Sequence, residues 1–410
     1  MAQATPRVTP LASYHEKLGA RWTEFGGWRM PVHYSSIIEE HRCVRERAGL
    51  FDLSHMGEII VAGPGGVDFL AWSTTNDPRR LGPGQAQYTC LCTPTGGIVD
   101  DVVLYRLPPV EAPGTLPQWA LAHLGAAQQQ ESGPPAFLAV VNAANHEKDL
   151  TWWRELTIHP PAMPPEDYVE PALKPFDLHD IGDDVVLLAL QGPAAQEVLS
   201  RVTRPATSLD ELTYYHCRWG TVAGVPALIA RTGYTGEDGF ELYVDRQNGG
   251  TLWEALLAAG SSRGILPVGL GARDTLRMEM KYALYGNDID ETTTPLEAGL
   301  GWVVKFTKGP FVGRSALVAQ KVSGVERQLV IMVMQDRAIP RHGIPIVANG
   351  QAVGRVTSGG FSPSLGKGIA LGYVPPAWAP VGTLVDVEIR GELHPARVAR
   401  APLVPAHIRR

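Results

Sequence analysis

The segment Gly96-Gly97-Ile98-Val99-Asp100-Asp101-Val102-Val103-Leu104-Tyr105 sets two adjacent carboxylates in the middle of an apolar run. Solvation there is poor, so a carboxylate is costly unless it has a partner or a task. Alternation along a strand predicts Asp101 on one face with Val99, Val103 and Tyr105, and Asp100 on the other with Ile98, Val102 and Leu104. Only one of the pair can then enter a given pocket. Spacing alone leaves a plainer alternative open, in which Gly96-Gly97 is a hairpin turn and both aspartates satisfy nearby backbone or arginine groups.

A second candidate is Arg231-Thr232-Gly233-Tyr234-Thr235-Gly236-Glu237-Asp238-Gly239-Phe240-Glu241-Leu242, a glycine-rich loop with hydroxyls and acids that runs into a strand. Glu241 alternates with apolar neighbours over 240–244 and is the acid best fixed in place. A fixed carboxylate suits a ring edge with adjacent N–H donors, as a pterin has. The alternative is a hairpin with solvated acids. Gly269-Leu270-Gly271-Ala272-Arg273-Asp274-Thr275-Leu276-Arg277 enters a helix, with Asp274 expected in its first turn. Arg273 beside that N-terminus offers a planar fork for a ligand carboxylate. The acidic stretch Leu284-Tyr285-Gly286-Asn287-Asp288-Ile289-Asp290-Glu291 lacks the length and ligand order of an EF-hand loop and is expected as a capped turn. Cys90-x-Cys92 has too short a spacer and no second ligand pair for zinc, so no metal is expected. No G-x-S-x-G, P-loop or G-x-G-x-x-G stands where its mechanism requires it, which disfavours hydrolase, NTPase and Rossmann readings.

These residues must be held by strands and helices whose patterns are visible. Strands are expected over 57–61, 87–91, 137–141, 185–190 and 226–232, and helices over 66–72 and 145–156. Thr9-Pro10-Leu11 starts a short helix that Gly19 ends, and Gln191-Gly192-Pro193 turns into a helix through Leu199. Residues 108–135, rich in Pro, Gly, Ala and Gln, read as an exposed surface excursion. After Trp302 the chain changes to short strands separated by turn residues, and Asn349-Gly350 between 344–348 and 351–357 is a type I′ hairpin signal. The expected division is therefore 1–304 and a C-terminal β-barrel over 305–410.

Composition narrows the partners. With 410 residues, 44% hydrophobic and 19% charged, the chain is long enough for two or three folded domains and is not disordered. A net charge of -6 gives no global attraction for nucleic acid or an anionic membrane. No apolar run approaches a membrane span. Four irregularly spaced cysteines and no apolar or Arg-rich leader point to a reducing, cytoplasmic setting.

Taken together, in order and spacing, these segments resemble the aminomethyltransferase family of the glycine cleavage system, the T-proteins. Phe25-Gly26-Gly27-Trp28-Arg29-Met30-Pro31, Phe51-Asp52-Leu53-Ser54-His55-Met56, Val141-Asn142-Ala143-Ala144-Asn145, Leu190-Gln191-Gly192-Pro193 and Thr357-Ser358-Gly359 extend the likeness over nearly the whole chain. The resemblance implies an α+β, three-domain cloverleaf, with a ferredoxin-like domain and a C-terminal β-barrel, around a central folate channel. It implies tetrahydrofolate as co-substrate, lipoylated H-protein as partner, Asp101 as the catalytic residue near folate N10, and Glu241 on the pterin. Tyr234 and Met56 would line the site, Arg273 would meet the folate tail, and Asn142 and Tyr105 are further carry-overs. The terminal Arg409 and Arg410 align too loosely to be assigned. Two departures stand out: the length of the 108–135 excursion, and Leu403 where the family usually has an aromatic. Rival readings within the resemblance are a related folate-dependent demethylase and a non-enzymatic folate-binding protein, whose Cys-containing motif is replaced here by Lys281-Tyr282-Ala283-Leu284-Tyr285-Gly286.

Overall fold

The computed structural model of the protein describes residues 5–110, 114–125, 133–168, 174–203 and 209–409. Its centre is a pair of sheets packed face to face. One has five strands in the order Ala86–Cys92, Ile98–Arg106, Ala136–Val141, Gly57–Ala62, Asp177–Asp180. The other has six, in the order Cys217–Val222, Val225–Ala230, Gly239–Asp245, Val185–Gln191, Gly49–Asp52, Leu266–Val268. Ile60, Tyr105, Leu138 and Val140 from the first meet Phe51, Leu187, Ala189, Leu228 and Tyr243 from the second in one core. Burial on both faces explains why Val185–Gln191 reads as an unbroken apolar run rather than an alternating one.

Helices close the outer faces. Gly66–Ser73 and His146–Ile158 cover the five-stranded sheet, through Phe69, Leu70, Leu150 and Trp153. Ala195–Val202 and Gly249–Gly260 cover the six-stranded one, through Val198, Leu199, Leu252 and Trp253. The result is four layers, helix, sheet, sheet, helix. A three-stranded sheet from Arg7–Val8, Trp28–His33 and Arg21–Phe25 flanks these layers.

The C-terminal part is a closed barrel of Gln328–Met334, Lys367–Val374, Gln351–Ser362, Pro345–Ala348, Leu384–Ile389 and Glu392–Ala399. Closure leaves no unpaired edge. The hairpin expected at Asn349-Gly350 forms, with φ of 50° and 74° at the two turn positions. The architecture is thus mixed α+β with a six-stranded C-terminal barrel. Among the described residues no helix is long and apolar enough to cross a membrane.

Two expectations are corrected. The register of Ile98–Arg106 shifts between Leu91 and Cys92, so Asp100 pairs with Leu91 while Cys92 pairs with Ile98. The extra residue, Val99, therefore lies with Val102 and Leu104 in the outer core, and Ile98 joins Cys90 and Cys92 on the other side. This is the reverse of simple alternation, because a β-bulge exchanges the faces beyond it. The faces of Asp100 and Asp101 are unaffected. The excursion 108–135 is not wholly exposed either. Its described part forms the helix Gln118–His123, and Leu116, Trp119, Ala120 and Leu124 are buried in the inter-sheet core. Trp119 packs against Trp219 with ring centroids 5.6 Å apart, and Asp245 accepts the backbone N–H groups of Gln118 and Trp119. Four apolar residues spaced for one helical face outweigh a loop-like composition.

Candidate functional site

The site lies along the seam between the sheets, and its two acids come from opposite layers. Asp101 stands on Ile98–Arg106, on the face of Val103 and Tyr105 that looks towards the other sheet. It is half-buried and accepts from Tyr88 Oη at 2.7 Å and from Asn142 Nδ2 at 2.8 Å. Burial and the neighbouring Asp100 charge push its carboxyl up to about 8, against the pull of those two donors. Its proton is therefore exchangeable near neutrality. Tyr88 is itself pushed well up by burial and by Asp101, so it remains a phenol that donates. The exposed Trp302, 61% accessible, stacks on Tyr88 with ring centroids 5.9 Å apart and forms a flat apolar rim.

Asp100 is fully buried on the opposite face. It accepts from Asn142 N at 3.0 Å, Asn142 Nδ2 at 2.8 Å and Asn145 Nδ2 at 2.5 Å. Asn142, at the end of Ala136–Val141, thus binds both aspartates through one amide. The glycine pair before them is positional. A Cβ at Gly97 would fall 1.9 Å from the carbonyl oxygen of Glu291, so the acidic loop crosses the hairpin too closely for any side chain.

Glu241 rises from Gly239–Asp245 with Ala189 and Ala230 opposite it on the two flanking strands, and their small side chains leave it room. Its Oε2 accepts from Thr232 at 2.5 Å, Tyr105 at 3.1 Å and Tyr243 at 3.5 Å. Its Oε1 accepts nothing among the described residues and is available to a ligand. Tyr105 is fully buried, so its hydroxyl holds Glu241 from behind.

Arg273 sits in Leu270–Met280, with its guanidinium over the Tyr234 ring at 4.7 Å. Tyr234 is fixed by donating to the carbonyl oxygen of Ala283 and by stacking on Tyr282 at 5.6 Å. Among the described residues Arg273 has no carboxylate partner, because the nearby acids are claimed elsewhere. Asp274, in the second turn rather than the expected first, pairs with Arg277 at 2.7 Å, and Glu279 pairs with Arg45 at 2.9 Å. His55 is held neutral, its pKa lowered to about 3 by burial and by the Arg273 charge. Met56, next to it, is partly buried against the inter-sheet core.

The structure therefore gathers Asp101, Asn142, Tyr105 and Glu241 at the seam, with Tyr234 and Arg273 forming one wall and Met56 beside the inter-sheet core. Arg409 turns instead to Gln196 and Asp210, at 2.9 and 3.1 Å, while Arg410 lies outside the described residues. The loop 284–291 is a turn built on Asp288, which accepts from Leu284 N and Thr357 Oγ1 and pairs with Arg277. The four cysteines are buried thiols, and among the described residues no three His, Cys, Asp or Glu side chains gather as a metal-holding group. Sequence reasoning missed Tyr88, Thr232, Tyr243 and Glu58. Glu58 is a buried acid in Gly57–Ala62 whose pKa burial, Asp180 and Glu241 raise well above normal. A signal existed for Tyr88: it lies on the strand expected over 87–91, and the hairpin turn that Gly96-Gly97 could form would set that strand beside the two aspartates.

Comparison with known proteins gives a consistent picture. The family model of the GCVT N-terminal domain matches residues 11–111 and 131–308, and that of the glycine cleavage T-protein C-terminal barrel domain matches 327–405. The aminomethyltransferase of Halothermothrix orenii is 44% identical over 97% of this chain and 100% of its own. That of Symbiobacterium thermophilum is 46% identical over 98% of each chain. The crystal structure of the glycine cleavage system aminomethyltransferase T from Bartonella henselae superposes with a TM-score of 0.83 at 35% identity, covering 98% of this chain and 99% of that one.

Proposed function

The chain belongs to the glycine cleavage T-protein family and is an aminomethyltransferase, and from that premise we propose how its seam carries out the transfer, with lipoylated H-protein as donor and tetrahydrofolate as acceptor. In this reading the aminomethyl carbon exchanges its bonds to nitrogen and sulfur for bonds to folate N5 and N10. The two displaced N–H protons go to ammonia and to the dihydrolipoyl thiol. Tetrahydrofolate supplies the nucleophilic nitrogens.

Glu241 takes the pterin edge through Oε1, its other oxygen being occupied by three hydroxyls. Arg273 and Tyr234 take the tail side, where an anionic group would meet the unpaired guanidinium. Met56 lines the pocket, and Tyr105 and Asn142 hold the two acids in place.

Departure of nitrogen or sulfur from the carbon develops iminium-like positive charge. Asp101, ionised, stabilises that charge more than it stabilises the ground state. Holding both substrates against one seam also removes much of the entropic barrier. The observation that carries this reading is the pairing of an acid poised near neutrality on one sheet with a half-occupied carboxylate on the other. The test is direct: purified protein mixed with aminomethylated H-protein and tetrahydrofolate should release ammonia and form methylenetetrahydrofolate, and failure to form either product rejects the reading.

A further inference from the structure

Behind Asp100 lies a carboxyl that the reaction, as described, does not use. Asp149, on His146–Ile158, is fully buried, and neither of its oxygens receives a hydrogen bond. An ionised carboxylate without a donor at such a place would carry a prohibitive desolvation cost. Lys148, Asn142 and Asn145 spend their donors on other acceptors, and the indole N–H groups of Trp152 and Trp153, on the same helix, do not reach it. Lys148 gives its ammonium to Val99 O and Tyr285 Oη, both at 2.7 Å, and to Glu291 at 3.3 Å. Asn142 and Asn145 give their amides to Asp100. The charged or titratable groups that face Asp149 are Asp100 and Asp101 from the strand, Lys148 from its own helix and Tyr285 from the acidic loop. Asp100 already accepts three N–H bonds, and a carboxylate has about four acceptor positions, so one remains.

We propose that Asp149 is a positioning residue: its carboxyl stays protonated, donates that proton to Asp100, and so fixes the Asp100–Asn142 unit that aims Asp101. Burial and the Asp100 charge push its pKa in the direction this requires. One proton shared by two buried carboxyls keeps a single negative charge next to Asp101, and that charge helps to raise the pKa of Asp101. The proposal rests on Asp101 being the residue beside the reacting carbon.

Asp149→Leu leaves Asp100 without its fourth donor. The negative charge beside Asp101 is then no longer shared with a proton, so the midpoint of kcat/KM against pH rises above the wild-type value. Turnover drops by about tenfold, the worth of one buried donor to a charged acceptor, with KM for folate little changed. Asp149→Asn keeps an N–H donor and restores most of the turnover and the midpoint. A residue that only packs would give equal losses in both variants with an unmoved midpoint, and that pattern overturns the proposal. Infrared spectroscopy supplies a readout independent of turnover. The difference between wild type and Asp149→Asn at neutral pH should contain a deuterium-sensitive carboxylic-acid C=O band, and its absence rejects the shared proton whether or not the protein acts on H-protein.

Discussion

Tyr88 reaches Asp101 diagonally rather than straight across: Val103 lies opposite Tyr88 and Cys90 opposite Asp101, yet the phenol donates to Asp101 Oδ2 at 2.7 Å. That bond favours the ionised carboxylate, so its loss should make Asp101 harder to ionise. Tyr88→Phe is expected to move the midpoint of kcat/KM upward by about one pH unit. A pH profile that superposes on wild type would detach Tyr88 from the chemistry.

Asp101→Asn should lower turnover by about a hundredfold or more while leaving folate affinity nearly intact, since it removes the charge and keeps the size. Single-turnover kinetics beside equilibrium folate titration separates the two effects. Asp100→Asn should be milder in turnover, and equal losses would mean that the two faces of the strand are not functionally distinct.

The pH dependence has a defined sign. In the proposed mechanism Asp101 acts as the anion, and its pKa is raised to about 8, so kcat/KM should climb as pH rises through that value and level off above it. Asp101→Asn should lose this limb.

Stability should run the other way. A carboxyl whose pKa is raised on folding binds more protons in the native than in the unfolded chain, so its contribution declines as pH rises from the ordinary 3.8 towards about 8. Asp101→Asn abolishes the decline. Its stability relative to wild type should therefore increase with pH across that window, by about 1–3 kcal/mol once partial solvent access is allowed for, read as a growing offset in melting temperature. Melting curves at both ends of the window with the same offset would contradict this.

Glu241→Gln should weaken folate binding by about tenfold or more, because one oxygen is left to serve both the hydroxyl cluster and the pterin. Tyr105→Phe, which removes only a supporting donor, should cost less. Arg273→Lys should keep part of the affinity for tailed folate and Arg273→Ala should lose more, with both losses shrinking for an analogue without the glutamate tail. Because Arg273 has no ion pair among the described residues, its melting temperature should barely move. Equal loss for both ligands with a large stability drop would reject the tail role.

What could be read from the chain followed local chemistry. The opposite faces of Asp100 and Asp101, the placing of Glu241 on a strand among alternating apolar residues and the Asn349-Gly350 hairpin all follow from period-two alternation and turn residues. The misplacement of Val99 arose because a bulge leaves no mark in residue types. The buried helix Gln118–His123 was hidden by proline and glycine on either side of a correct apolar spacing. Tyr243 and Thr232 around Glu241, and Asp149 behind Asp100, depend on contacts between distant segments, which no local pattern records.

Asp101 and Glu241 belong to different sheets, so in the proposed reading the layers divide the labour between one-carbon donor and acceptor, with the Tyr105–Glu241 hydrogen bond as the crossbar between them. On that reading, substitutions on the five-stranded side would retune which donor is accepted while the acceptor's cradle on the six-stranded side stays intact. Such a scaffold lends itself to evolving new one-carbon sources without relearning how to hold the recipient.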